Sequence, residues 1–325
     1  MSLPNTVTIR RENCRTILRT VRQAGVATKK DVMEQTGLSF STCNNLMNEM
    51  VKTGELHTLA QLRAGETGRP SVAYQINETY ALVLCVSIEC SRAGTVLRSA
   101  VADLYGRRLR ADVHACPQAD RAGVLQIVRE AVQQFPRIAV VGFSVPGIIG
   151  TDGTILQRDC PLLDGVNLAN ACTQTFGLPA LCENDMNLLA YGLNLLADCA
   201  ELGSVAVIAD YNGIPQGAGI VVDGRIIRGS TNFAGEISFL PAAGASHLGR
   251  LSFQIACLTA VLDPALIAIV GDRCTPEELP QLRAQLRTVI PPQHCPEITV
   301  LSNRENAEDG LIRLCLSSME SGGGV

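Results

Sequence analysis

Apolar residues at Cys14, Ile17, Leu18 and Val21 follow the i, i+3, i+4, i+7 spacing of a helix that buries one stripe, so a helix is predicted over Arg11 to Ala24, stopping near Gly25. Thr28-Lys29-Lys30-Asp31 has capping-box form and predicts a short second helix from Lys29 to Thr36, ended by Gly37. Ser39 is placed to cap a third helix, in which Cys43, Leu46, Met47 and Met50 repeat the stripe up to Gly54. Its opposite face carries Ser41, Thr42, Asn44, Asn45 and Asn48. A short, uncharged face rich in hydrogen-bonding groups suits a helix lying in a major groove, where Asn pairs bidentately with adenine. A solvated surface is the other reading, although such surfaces favour Glu and Lys over Asn, a poor helix former. Leu56 to Leu59 and Val72 to Ile76 read as strands around a loop containing Arg63 and Gly68-Arg69-Pro70, and three helices followed by a β-hairpin predict a winged helix-turn-helix.

From Ala81 the pattern changes. Ala81 to Glu89 and Thr95 to Leu104 are apolar or alternating runs around a polar turn, closed by Tyr105-Gly106. A helix over Arg121 to Gln134, a buried strand over Ile138 to Ser144, a helix over Asn167 to Phe176, a strand over Ala180 to Glu183 and a helix over Asp185 to Cys199 follow. The order then repeats, with strands at Val205 to Asp210, Gly217 to Val222 and Arg225 to Arg228, an Asp223-Gly224 hairpin turn, and further helices alternating with strands at Ala265 to Val270 and Ile298 to Leu301. A meander followed by alternating helices and strands, given twice, predicts two similar α/β lobes with a cleft between them. The expected division is residues 1–80 for the winged helix and 81–325 for the larger module, with lobes of about 81–200 and 201–325.

Composition adds three constraints. In 325 residues, 46% hydrophobic and 18% charged, there is enough apolar side chain for two or three cores and too little charge for disorder. No apolar run is long enough to span a membrane and the polar N-terminus lacks the apolar core of a signal peptide, so a cytoplasmic protein is expected. The 13 cysteines are scattered singly without a C-x-x-C pair, which predicts small core residues and neither disulfides nor a metal site. Through Tyr80 ten Lys and Arg stand against seven Asp and Glu, a net of +3, and the remainder holds 17 against 24, a net of −7. A basic module joined to an acidic one is a first, weak hint of a polyanionic partner.

Thr36-Gly37-Leu38-Ser39, the Ser-Thr that follows, and Gly68-Arg69-Pro70 resemble the DNA-binding domain of the ROK family of repressors and sugar kinases. The larger module resembles the same family in Val141-Gly-Phe-Ser-Val-Pro-Gly147, Glu183-Asn184-Asp185, Gly229 with Gly235-Glu236-Ile237, and Leu262-Asp263-Pro264. The resemblance spans nearly the whole chain. It implies a duplicated actin-like, hexokinase-like fold that binds a sugar between its lobes. It also implies that Asn184, Asp185 and Glu236 face that ligand, and that Arg69 touches DNA. A loop arginine is the alternative role of Arg69, and a plain helix cap, with Asp185 serving the first-turn amides, is the alternative for Glu-Asn-Asp.

The family's enzymatic features are altered. Sugar kinases of the family open on an Asp-x-Gly-x-Thr phosphate turn, where this chain has Ser87-Ile88-Glu89-Cys90-Ser91, and the second phosphate loop corresponds to Tyr211 to Gly219, with Pro215 and Gln216 where amides and small residues are wanted. The family's zinc-binding histidine is Phe239 here and its cysteine loop is missing, leaving His247 as a lone imidazole. The expectation is therefore a ROK-type transcription regulator without cofactor or metal that binds a double-stranded operator as a homodimer or dimer of dimers. It would read DNA through Ser39, Ser41, Thr42, Asn44, Asn45, Asn48 and Arg69, and respond to a small carbohydrate-like effector. The alternatives are a sugar kinase with an appended DNA-binding domain, and a DNA-binding dimer whose cleft no longer takes a ligand.

Overall fold

Helix α1 (Thr6–Ala24) ends at Gly25, and the chain passes through the two-residue strand β1 (Ala27–Thr28) into α2 (Lys29–Thr36), α3 (Phe40–Thr53) and the hairpin strands β2 (Leu56–Leu62) and β3 (Ser71–Ile76). The computed structural model describes residues 6–62, 71–91, 94–114, 120–156, 161–196, 198–211, 217–241, 246–302 and 304–321. The helix predicted from Arg11 begins earlier, at Thr6. Both predicted caps are present: Thr28 and Asp31 exchange hydrogen bonds across the first turn of α2, and Gly37 at φ 69° closes it. Ile17, Val21, Val32, Cys43, Leu46, Met47 and Met50 bury one face of each helix against Tyr74 and Ile76 of β3. The three-stranded sheet has the order β1-β3-β2, and Arg69 lies outside the described residues.

The first lobe contains β4 (Leu82–Ser91), β5 (Gly94–Ala102), β6 (Arg108–His114), α4 (Arg121–Gln134), β7 (Ile138–Val145), a mini-hairpin of β8 (Ile148–Ile149) and β9 (Ile155–Leu156), α5 (Leu168–Phe176), β10 (Ala180–Asn184) and α6 (Asp185–Asn194). The second contains β11 (Ser204–Asp210), β12 (Ala218–Val222), β13 (Arg225–Ile226), α7 (His247–Leu262), β14 (Leu266–Gly271), α8 (Leu279–Leu286), β15 (Glu297–Leu301) and α9 (Glu305–Ser321). The sheets run β6-β5-β4-β7-β10 and β13-β12-β11-β14-β15, each an antiparallel meander continued by two parallel strands. The repeated order predicted from the sequence is therefore a repeated topology.

The two lobes exchange helices. Helix α6 follows the last strand of the first sheet yet packs Met186, Leu189 and Leu193 on Val205, Val207 and Val221 of the second. Helix α9 follows the last strand of the second sheet and buries Leu311, Ile312, Cys315 and Leu316 against Val83, Cys85 and Val140 of the first. The helices touch where both carry glycine. A Cβ on Gly192 would lie 1.7 Å from the Asn306 carbonyl oxygen, and one on Gly310 would lie 2.2 Å from that of Leu188. No helix among the described residues is long and apolar enough to cross a membrane.

Candidate nucleic-acid interface and interlobe cleft

The polar face predicted for α3 is divided by the structure into three groups. Ser39 is the cap, its hydroxyl accepting the Thr42 amide at 3.2 Å and lying 3.0 Å from the Ser41 hydroxyl and 2.9 Å from that of Thr42. Asn45 and Asn48 are exposed, whereas Asn44 is half-buried. The Lys29 ammonium donates to Oδ1 of Asn44 at 2.7 Å and to Oδ1 of Asn48 at 2.8 Å, and it stands 5.4 Å from the centre of the Tyr74 ring. Phe40, the first residue of α3, is 62% exposed beside these polar groups. Neither Lys29 nor Phe40 was a predicted contact. Phe40 stands three and seven residues before Cys43 and Met47, in phase with the buried stripe, so nothing in the sequence signalled its exposure, and a lysine at the first position of α2 carried no sign of its contacts.

The cleft forms where β10 runs into α6. Asn184 caps that helix, its Oδ1 accepting from the amides of Met186 at 2.8 Å and Asn187 at 3.1 Å, while its Nδ2 donates to the Gly147 carbonyl at 2.8 Å. The cap is thus Asn184, and Asp185, offered in the alternative reading as the residue serving the first-turn amides, has a different partner. It accepts from Nη2 of Arg304 at 2.5 Å, and the Arg304 guanidinium lies 5.9 Å from the Tyr211 ring centre. Glu183 is almost fully buried. Its Oε1 accepts from the Asn184 amide at 2.9 Å and Asn187 Nδ2 at 3.0 Å, and its Oε2 from Arg228 Nε at 2.8 Å. This places Arg228 on the cleft wall, 39% exposed.

Opposite stands Glu236. Gly235 adopts φ 94°, and a Cβ there would come within 2.0 Å of the Ala218 carbonyl oxygen, so only glycine brings Glu236 round to the cleft. Burial pushes the Glu236 carboxyl above the usual range, and Asp185 nearby pushes it the same way. Asn232, held at φ 60°, donates Nδ2 to the Ile149 carbonyl at 3.0 Å, which ties the second lobe to the mini-hairpin of the first. The cleft is lined by Gly147, Ile148 and Ile149 on one side and by Asn184, Asn187, Arg228, Asn232 and Glu236 around it. Glu183, Arg228, Asn232 and Arg304 were not predicted. Glu183 belongs to a quoted motif and Arg228 directly precedes one, but Arg304 meets Asp185 across 119 residues, a pairing no local pattern reveals.

Of the altered enzymatic segments, Glu89 is half-buried on β4 and bonds Arg98 of β5 at 3.1 Å, while residues 212–216 of the second loop lie outside the described residues. His247 is held by the buried Asp210 carboxylate, Nε2 to Oδ2 at 2.6 Å, and Phe239 is exposed with its ring 5.1 Å from that of Phe233. Among the described residues no three His, Cys, Asp or Glu side chains gather in a way that could hold a metal.

Helix α9 joins the two regions. Arg304 sits just before its first turn, Arg108 pairs with Glu308 and Asp309 along it, and at its far end Glu320 pairs with Arg22 of α1.

A winged helix-turn-helix in front of a duplicated actin-like, hexokinase-like module is also what comparison with known proteins finds: residues 10–54 match winged helix-turn-helix DNA-binding domains and residues 91–249 match the ROK family. The chain carries a ROK family domain behind an N-terminal winged helix. Among its relatives are the xylose repressor of Caldicellulosiruptor bescii, 22% identical over 68% of this chain and 56% of that protein, and the xylose repressor of Bacillus subtilis, 20% identical over 74% and 63%. The chain spans less than two-thirds of the length of these curated relatives. In fold it matches a ROK family transcriptional regulator described as a homologue of the E. coli MLC protein, with a TM-score of 0.74 and 18% identity over 97% of this chain and 100% of that one. It also matches a ROK hexokinase from Thermus thermophilus, with a TM-score of 0.60 and 19% identity over 75% and 100%.

Proposed function

We propose that the protein is a sequence-specific DNA-binding transcriptional regulator of repressor type, acting in the cytoplasm as a homodimer or dimer of dimers and controlled by a small carbohydrate-like ligand in the interlobe cleft. The observation that carries this reading is the exposed face of α3, where Phe40, Ser41, Asn45 and Asn48 face outward and Lys29 holds Asn48, on a module of net positive charge. A helix presenting amides, hydroxyls and one apolar ring is equipped for base edges and the thymine methyl. On this reading residues 1–80 bind DNA, with Arg69 reaching a groove or a phosphate, and residues 81–325 sense the ligand.

A polar cleft whose donors and acceptors come from Asn184, Arg228 and Glu236 suits a polyol, and the named repressors among its relatives agree with that. Asp185 is engaged by Arg304, not held free for a hydroxyl, which favours a sensor over a kinase. Ligand that draws Asp185 away releases the start of α9, and α9 carries the change to α1 through Glu320 and Arg22. The test is selection of random duplexes by the purified full chain at low salt. Enrichment of a pseudo-palindromic sequence is the expected result, and a pool that stays random refutes the reading.

A further inference from the structure

We propose that Lys29 sets the base preference of α3, by holding the oxygen ends of Asn44 and Asn48 and leaving N–H groups to face the DNA. The inference rests on the DNA-binding reading above. The capping box of Thr28 and Asp31 fixes the start of α2, and so fixes where the first residue of that helix projects. Its ammonium lies 2.7 Å from one atom of the Asn44 amide and 2.8 Å from one of Asn48. A lysine has donors only, so both of those atoms are oxygens, and the orientation of the two amides follows. Asn48 Nδ2 donates to Asn44 Oδ1 as well, at 3.4 Å, so both lone pairs of that oxygen are used.

The charge is uncompensated among the described residues. Lys30 next to it pairs with Glu34, but the contacts of Lys29 are two neutral amides and the Tyr74 ring. Reading adenine with Asn requires a free amide oxygen to accept from N6, together with an N–H for N7. Asn44 has no such oxygen. The ammonium and the Asn44 amide together offer donors alone, and in the major groove the base with two acceptors, O6 and N7, is guanine. Exposed Asn45, whose amide has no partner among the described residues, is the adenine reader on the same helix. Lys29 is thus a positioning residue for Asn44 as well as a donor in its own right, and the helix reads guanine beneath Asn44 and adenine beneath Asn45.

The experiment compares the duplexes selected from a random pool by the full-length protein and by its Lys29→Met, Lys29→Gln and Lys29→Arg variants, with thermal unfolding to establish that each is folded. The wild type should enrich guanine at one position of each half-site. Lys29→Met frees the Asn44 oxygen, and the guanine-to-adenine ratio at that position should fall roughly tenfold while other positions keep their bases. Lys29→Gln removes the charge but keeps N–H donors on a shorter side chain and should show a smaller fall, and Lys29→Arg, which still donates to both oxygens, should retain guanine. If Lys29→Met and Lys29→Gln bind more weakly but select the same bases at every position, Lys29 is a phosphate contact and the proposal is overturned with the DNA-binding reading intact. A wild type that enriches no sequence overturns both.

Discussion

Glu183 is 5% exposed, yet the backbone amide of Asn184, the Asn187 amide and the Arg228 guanidinium all point at its carboxylate. A buried charge is stable when donors satisfy its lone pairs, and deleting it strands the groups that faced it. Glu183→Ala should therefore lower unfolding stability by about 2 kcal/mol, less than for a fully buried pair because Arg228 is 39% exposed. Lys30→Ala, which breaks an ion pair whose members are 81% and 64% exposed, should change it by less than about 0.5 kcal/mol. Equal urea midpoints for the two variants would contradict this account of the cleft wall. Glu236 is the opposite case. Burial raises its pKa, so the folded state binds its proton more tightly than the unfolded chain does. That group favours folding at acidic pH and costs stability as pH rises through its folded value. Glu236→Gln should melt higher than the wild type at neutral pH, with the gain shrinking as pH falls through the raised folded value and gone below the ordinary glutamate pKa of about 4.3. A gain that does not depend on pH would mean that the carboxylate is not desolvated in the cleft.

At the level of elements, what was legible depended on whether a segment buries a regular stripe. Helices α2 and α3 came from period and caps, because Thr28 and Ser39 each accept a first-turn amide, and α4 from its pattern alone, its cap Asp120 being seen only in the structure. Strand β6 was missed. It is an edge strand in which Arg108, Arg110 and Asp112 alternate with residues that are themselves largely exposed, so no apolar run announces it. The predicted helix from Asp185 to Cys199 stops at Asn194, where Asn194 turns its Nδ2 to the Cys199 carbonyl. The cleft's motif residues were visible in sequence, but their partners Arg228, Arg304 and the Gly147 carbonyl come from other elements. The crossing of α6 and α9 was also invisible, since it depends on two glycines in separate helices. Gly192→Ala would drive a methyl into the Asn306 carbonyl and should cost about 3 kcal/mol, whereas Gly203→Ala, with nothing within 4 Å of its added carbon, should be nearly neutral. Matching denaturation midpoints for these two variants would contradict close helix packing at this point.

For the whole molecule, the segment that begins at Arg304 and continues as α9 pairs at one end with Asp185 beside the cleft and at the other with Arg22 of α1. If it couples them, a change made at Arg304 should be felt at the winged helix. Arg304→Ala should speed amide hydrogen exchange in α9 and α1 roughly fivefold, the equivalent of about 1 kcal/mol of lost pairing, and leave β7 unchanged. Adding Glu320→Ala should remove the effect at α1 selectively, whereas an effect confined to the first turns of α9 would sever cleft from winged helix. The central claim, that α3 reads DNA sequence, is tested most directly by competition binding of the selected duplex against a scrambled one, with wild type and Asn45→Ala compared at the same salt concentration. The account predicts that the wild type prefers the selected duplex and that Asn45→Ala loses about 1–3 kcal/mol of that preference while binding the scrambled duplex as before. Equal binding of both duplexes by the wild type, or a preference untouched by Asn45→Ala, would contradict it.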